Sequence, residues 1–174
     1  IVSLGELARA QAAGIDPADV VFSGVGKTDD DICQALACGI GQINAESVPE
    51  VSAIIAIAAN MGVVAPVALR VNVDVNPGTH AKISTGQRDT KFGISTNERE
   101  ASDLYRVLCD SPHIQPAGLA VHIGSQICNL APFEAAYSEL LTLANELRNS
   151  GMPVPNLDLG GGVGVDYKMA GLTD

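Results

Sequence analysis

Short runs of apolar and β-branched residues recur along this chain, each followed by a stretch with helical spacing. That alternation limits the fold more than any other feature. Val20-Val21-Phe22 precedes a helical stretch over 28–37, and Gln42-Ile43-Asn44-Ala45 precedes another over 47–61, where Ser47 and Glu50 form an S-x-x-E capping box. Val67-Ala68-Leu69-Arg70-Val71 is the clearest strand pattern. Ser95 and Glu98 open a helix with Leu104, Tyr105 and Leu108 on one face. Leu119-Ala120-Val121-His122-Ile123 is again a strand. After it, Pro132 opens a helix whose stripe is Phe133, Ala136, Tyr137, Leu140, Leu141, Ala144 and Leu147, with Gly151 as its stop. Finally Leu157-Asp158-Leu159 runs into Gly160-Gly161-Gly162-Val163-Gly164. Strands that are apolar nearly throughout, each trailed by an amphipathic helix, imply a parallel sheet covered by helices.

A Rossmann sheet and a TIM-type barrel both fit that pattern. The polar residues decide between them, because they fall just after the strands: Ser23, Asn44 and Glu46, Asn72, His122 and Ser125, and the glycines from 160. A (β/α)8 barrel builds its site on that edge of every strand. No Gly-x-Gly-x-x-Gly opens a helix, and Tyr167 stands where a third glycine would fall. The reading is a barrel.

The chain has 174 residues, about one domain by size. Ten basic against 20 acidic residues give a net charge of −10, which argues against nucleic acid or an anionic membrane as partner. A phosphate would have to be held locally by backbone N–H groups. Cys33, Cys38, Cys109 and Cys128 show neither a CxxC pair nor metal spacing with the histidines, so no metal site is expected and reduced thiols are. No apolar run approaches the roughly 20 residues of a membrane span. The start, Ile-Val-Ser-Leu-Gly-Glu, reads as the middle of a strand-to-helix turn and suggests a piece of a longer chain.

One stretch invites a different reading. Gly24-Val25-Gly26-Lys27-Thr28 matches the end of a nucleotide-binding P-loop. That loop needs a first glycine five positions before Gly26, so that the chain can double back over phosphates. Val21 is there instead, inside a strand. The expectation is a barrel loop in which Thr28 caps the following helix, with no ATP implied.

The segments "SLGELARA" (3–10), "VFSGVGKTDDD" (21–31), "INAES" (43–47), "ALRVNVDVNPGTHAKISTG" (68–86), "KFGI" (91–94), "VHIGSQI" (121–127) and "LDLGGGVGVDY" (157–167) occur here in that order. Together they resemble the fold-III pyridoxal-phosphate decarboxylases, and within them the diaminopimelate branch. The resemblance implies the N-terminal barrel domain shared with alanine racemase and ornithine decarboxylase. About strands two to seven of eight are present, so that 1–174 is an incomplete pyridoxal-phosphate-binding domain. The strand carrying the Schiff-base lysine would lie before Ile1. The "E-P-G-R" strand and a C-terminal β-domain would lie after Asp174.

The same resemblance implies roles for particular residues, each with an ordinary structural alternative. Gly160, Gly161 and Gly162 would cradle the cofactor phosphate through backbone N–H groups; the alternative is a tight turn. His122 would stack on the cofactor ring, or be a satisfied core histidine. Ser125 would give a hydroxyl to the phosphate, or be a loop serine. Arg70, a charge on an apolar strand that needs a partner, would meet the phenolic oxygen or form an internal salt bridge with Glu46. Glu6 would stand near the cofactor, or complete a capping box with Ser3. His80, Lys82 and Lys91 take no assigned step. The activity implied for the whole enzyme is decarboxylation of meso-2,6-diaminopimelate to L-lysine by a cytoplasmic (in plants, plastid) homodimer acting on this small amino acid. An ornithine- or arginine-type decarboxylase, or a non-catalytic cofactor-binding fragment, are the alternatives. The 174 residues alone are expected to be inactive. Borohydride treatment with pyridoxal phosphate, followed by peptide mapping, should find no adduct at one defined lysine; a single stoichiometric site would overturn this.

Overall fold

The computed structural model describes residues 1–73, 75, 92–96 and 99–165. His80, Lys82, Lys91, Glu98 and Tyr167, all named above, lie outside the described residues. In chain order the elements are α1 (Leu4–Ala12), a 3-10 turn at Pro17–Asp19, β1 (Val21–Phe22), α2 (Asp29–Ala37), β2 (Gln42–Ala45), α3 (Val48–Met61), β3 (Ala65–Asn72), β4 (Ile94–Ser95), α4 (Glu100–Asp110), β5 (Ile114–Ala120), α5 (Ala131–Asn149) and β6 (Asn156–Asp158).

Helix starts follow their caps. Thr28 accepts from the Asp31 N–H while the Asp31 carboxylate accepts from the Thr28 N–H, a full capping box that stops α2 running back into β1. Ser47 caps α3 through the Glu50 N–H, but the Glu50 carboxylate turns away to the Glu46 N–H, so the predicted box is only half made. The expected start of α4 is also revised. Ser95 stays in the ladder, where Ile94 and Ser95 pair with Val71 and Asn72, and the helix begins at Glu100. On α5, Leu143 rather than Leu141 completes the buried stripe; Leu141 is exposed. Gly151 has φ +81° and ends that helix as expected.

All strand pairings are parallel, in the order β1-β2-β3-β5-β6, with β4 paired to the C-terminal end of β3. The sheet is curled. Asn44 on β2 donates to Asp158 at the end of β6 at 2.7 Å, although β6 lies three strands away along the sheet. In a flat sheet three spacings would separate those strands by about 14 Å, beyond the reach of two short side chains. The bond therefore crosses the hollow of an arc, and the architecture is the partial barrel expected.

Side-chain alternation sorts residues between the two faces of this arc. On β2, Ile43 and Ala45 take the helix-facing side, while Gln42, Asn44 and Glu46 are buried polar residues of the hollow side. The apolar side forms one core with the helices, in which Val67, Leu69, Ile54, Leu108 and Leu140 are fully enclosed. Tyr105 is buried there, its hydroxyl donating to the Pro153 carbonyl at 2.7 Å, and burial pushes the phenol well above its ordinary pKa. Among the described residues no helix is long and apolar enough to cross a membrane.

β5 and β6 approach closely at Gly118, where φ is +137° and an added methyl would overlap the Asn156 carbonyl oxygen. Gly118→Ala in the intact protein should therefore cost about 2 kcal/mol or more of unfolding free energy. Urea denaturation measures it; an unchanged midpoint would show that the two strands can part without penalty.

Candidate functional site

The C-terminal ends of the strands enclose a cavity of about 290 Å³. His122, Arg70, Asn44, Asp158, Gly160 and Gly161 line it, so five strands or their outgoing loops meet there when Ser23, after β1, is included. The sequence analysis marked the same strand ends as polar.

His122 follows β5 and faces the glycine turn that follows β6. Its Nδ1 accepts from the Gly161 N–H at 3.4 Å, which leaves the ring proton on Nε2. Burial, with the Arg70 charge adding to it, lowers the imidazole pKa; Asp158 and Glu46 oppose the shift. The ring is thus uncharged at neutral pH, a flat face beside the cavity.

The glycines are needed for close approach. At Gly160, φ is +68° and a methyl would overlap the Val121 carbonyl; at Gly162, φ is +104° and a methyl would overlap the Gly124 carbonyl. A Cβ on Gly161 would meet open space. One expectation changes here. Two of the three N–H groups assigned to a phosphate turn inward, from Gly160 to Asp158 Oδ1 at 2.9 Å and from Gly161 to His122. The Gly162 N–H bonds to none of the described residues, which leaves it as the donor of the run with a free valence.

Arg70 forms the internal salt bridge with Glu46 that was one of the two readings offered for it. Its Nη1 bonds Glu46 Oε2 at 2.6 Å in a nearly enclosed ion pair, yet the guanidinium also lines the cavity, and its buried Nε has no protein partner. A buried donor without an acceptor is costly, and this one belongs to a residue of the cavity lining. Glu46 is held in turn by the Gly24 N–H at 2.7 Å.

Ser125 stands on the exposed loop after His122, beside the glycine turn but outside the cavity lining. Glu6 is not brought to the site. It is exposed, its carboxylate accepting from the Val2 N–H at 2.6 Å while its own N–H donates to Ser3 Oγ, so the cap explains it. Asp158 was missed as a site residue. It holds Asn44 on one oxygen and the Gly160 N–H on the other. The signal was there, an acid inside an apolar strand just before the glycines, as informative as the charge of Arg70.

The Lys27 loop shows no phosphate valence. The ammonium is buried and spends its three donors on the Gly24 and Asn44 carbonyls and on Glu50, at 2.7, 2.8 and 2.7 Å. The loop is a rim of the barrel. Among the described residues no group of His, Cys, Asp and Glu is placed to hold a metal ion.

Comparison with known proteins agrees with this geometry. A family model described as "Pyridoxal-dependent decarboxylase, pyridoxal binding domain" matches residues 1–172. The chain belongs to that family. Its cofactor is pyridoxal 5'-phosphate. A diaminopimelate decarboxylase of Zymomonas mobilis is 49% identical over 168 residues, 97% of this chain. The crystal structure of the Helicobacter pylori diaminopimelate decarboxylase, complexed with L-lysine, superposes with a TM-score of 0.92 at 38% identity, covering 99% of this chain and 43% of that one. An arginine decarboxylase from Paramecium bursaria Chlorella virus gives 0.79 at 25%, covering 99% and 43%. The chain spans only 39–40% of the length of curated relatives such as the Zymomonas mobilis enzyme.

The depressed His122 pKa has a consequence for stability. As pH falls, the unfolded chain takes up the proton first, near histidine's ordinary value of about 6.5. Stability contributed by the neutral ring is complete above that pH and lost below it. In the cofactor-free protein an NMR titration should place the His122 midpoint below 6.5, and His122→Gln should flatten the stability decline between pH 6.5 and 5. A midpoint at or above 6.5 contradicts the assignment.

Proposed function

We propose that the intact protein removes a carboxyl group from meso-2,6-diaminopimelate to yield L-lysine, and that residues 1–174 form part of its cofactor-binding barrel. One observation carries the reading: the turn at Gly160–Gly162 and His122 meet across a cavity at the strand ends, the juxtaposition a phosphorylated pyridine requires. The higher similarity to the diaminopimelate decarboxylase than to the arginine enzyme supports that substrate.

The residues present fit the cofactor. Two glycine positions exclude any Cβ, the Gly162 N–H is open to an anion, and the Arg70 Nε lacks an acceptor. Gly162, with Ser125 at the rim, would hold the phosphate. Arg70 would meet the phenolic oxygen, and His122 would bear on the ring. Bound pyridoxal phosphate supplies the sink for the electron pair left when CO2 departs.

What this chain contributes is binding and orientation. Gly161 fixes the His122 ring by holding Nδ1, and the missing charge on that ring spares the site a repulsion against a cationic pyridine nitrogen. Glu46 holds the Arg70 guanidinium by Nη1, and Nε is left without an acceptor. Asp158 ties the first glycine N–H to Asn44, so the turn cannot rotate independently of β2. The reading of a cytoplasmic homodimer rests on the family resemblance.

The test uses the intact protein with pyridoxal phosphate and, separately, meso-2,6-diaminopimelate, ornithine and arginine. CO2 release with stoichiometric lysine is expected from the first alone; turnover of ornithine or arginine at a comparable rate would overturn the assignment. His122→Ala should lower kcat/KM on the order of 10²-fold through lost ring orientation.

A further inference from the structure

Two loops form the mouth of the cavity, 121–128 after β5 and 159–165 after β6. Beyond β6 they are held to each other like a short parallel ladder. The Ile127 N–H donates to the Gly162 carbonyl at 2.9 Å, and the Gly164 N–H donates to the Ile127 carbonyl at 3.0 Å. One side chain extends that ladder. Gln126 Oε1 accepts from the Val165 N–H at 2.7 Å.

Gln126 has a backbone φ of +58°, one of two described non-glycine residues in the left-handed region. A glutamine there costs on the order of 1 kcal/mol that a glycine would avoid. The conformation reverses the chain between exposed Ser125 and buried Ile127, setting Ser125 on the cavity rim while Ile127 re-enters the core. An amide oxygen is also the correct acceptor for a backbone N–H, so the orientation of the Gln126 amide follows from its partner.

We propose that Gln126 is a positioning residue for the cofactor phosphate. By gripping Val165 it pins the far end of the glycine run, while Ile127 pins the middle and His122 the near end. The Gly162 N–H, next to Gly161 of the cavity wall and close to Ser125, is thereby held in one orientation. A turn with three glycines is otherwise easily deformed. Restraint at both ends reduces what ordering on binding would cost. This rests on the reading that the glycine turn holds the phosphate.

The experiment uses the intact cofactor-free protein and compares its affinity for pyridoxal 5'-phosphate with that for pyridoxal, which lacks the phosphate. Gln126→Met keeps length and volume but removes the acceptor. It should weaken pyridoxal-phosphate binding about tenfold, leave pyridoxal binding unchanged, and speed hydrogen exchange at the Val165 amide. Gln126→Gly relieves the left-handed strain, so its fold is not endangered, and it should show the same selective loss. Equal losses for both ligands would mark a purely structural residue and overturn the proposal, as would wild-type affinities. Gly161→Ala separates the two layers of the argument, since its methyl enters open cavity space. If that variant leaves the ratio of the two affinities intact, the phosphate reading itself fails, and the role of Gln126 with it. If it lowers the ratio and the Gln126 variants do not, the grip alone is wrong.

Discussion

The hydrogen bond that Asn44 makes across the hollow of the sheet is the constraint on which the site depends. Asn44 is enclosed, and it donates to Ser23 after β1 and to Asp158 on β6 while accepting from Gln42. A buried amide left without those partners would cost several hydrogen bonds' worth of free energy, so the strands that carry them cannot drift apart cheaply. Curvature here is therefore enforced from within, by polar side chains, as well as from outside by helices packed on the apolar face. The loops after β5 and β6 lie side by side because those strands are neighbours in the sheet, and the arc brings them round to the ends of β1 and β2, which closes the cavity.

Charges inside the arc are disposed to the same end. Arg70 and Glu46 neutralise each other, and Glu50, next along, takes Lys27. Each ionic group has a partner because an unpaired one could not be afforded in so enclosed a place. Two donors are left without a partner, the buried Arg70 Nε and the Gly162 N–H, on residues in or next to the cavity wall. A net-acidic protein can in this way keep donors in reserve near a site for an anionic ligand.

Much of this could be read before any coordinates. Parallel strands and the polarity of their C-terminal ends located the site, since both depend on local pattern and on a handedness rule that has few exceptions. The roles given to the glycine run and His122 came with the family resemblance, since pattern alone left a tight turn and a core histidine as alternatives. Four things could not be read. Glu6 satisfied a local capping pattern as well as a functional one, and only packing could choose. The N–H directions in the glycine turn depend on a backbone with positive φ at Gly160 and Gly162, which glycine adopts freely and sequence does not encode. The bond between Asp158 and Asn44 was hidden because the two are 114 residues apart, and no periodicity reports a contact of that range. The two-residue strand at Ile94 was too short for any alternation to show.

The Lys27 loop carries a wider lesson about signatures. Substituting glycine at Val21 would complete the nucleotide-binding consensus on paper. It would also strip a side chain from a strand residue paired to Gln42, and the ammonium would still have every proton committed. Converting this rim into an ATP site would mean dismantling Glu50 and two carbonyls first. Motif scans would do better to ask whether the lysine has anything left to give.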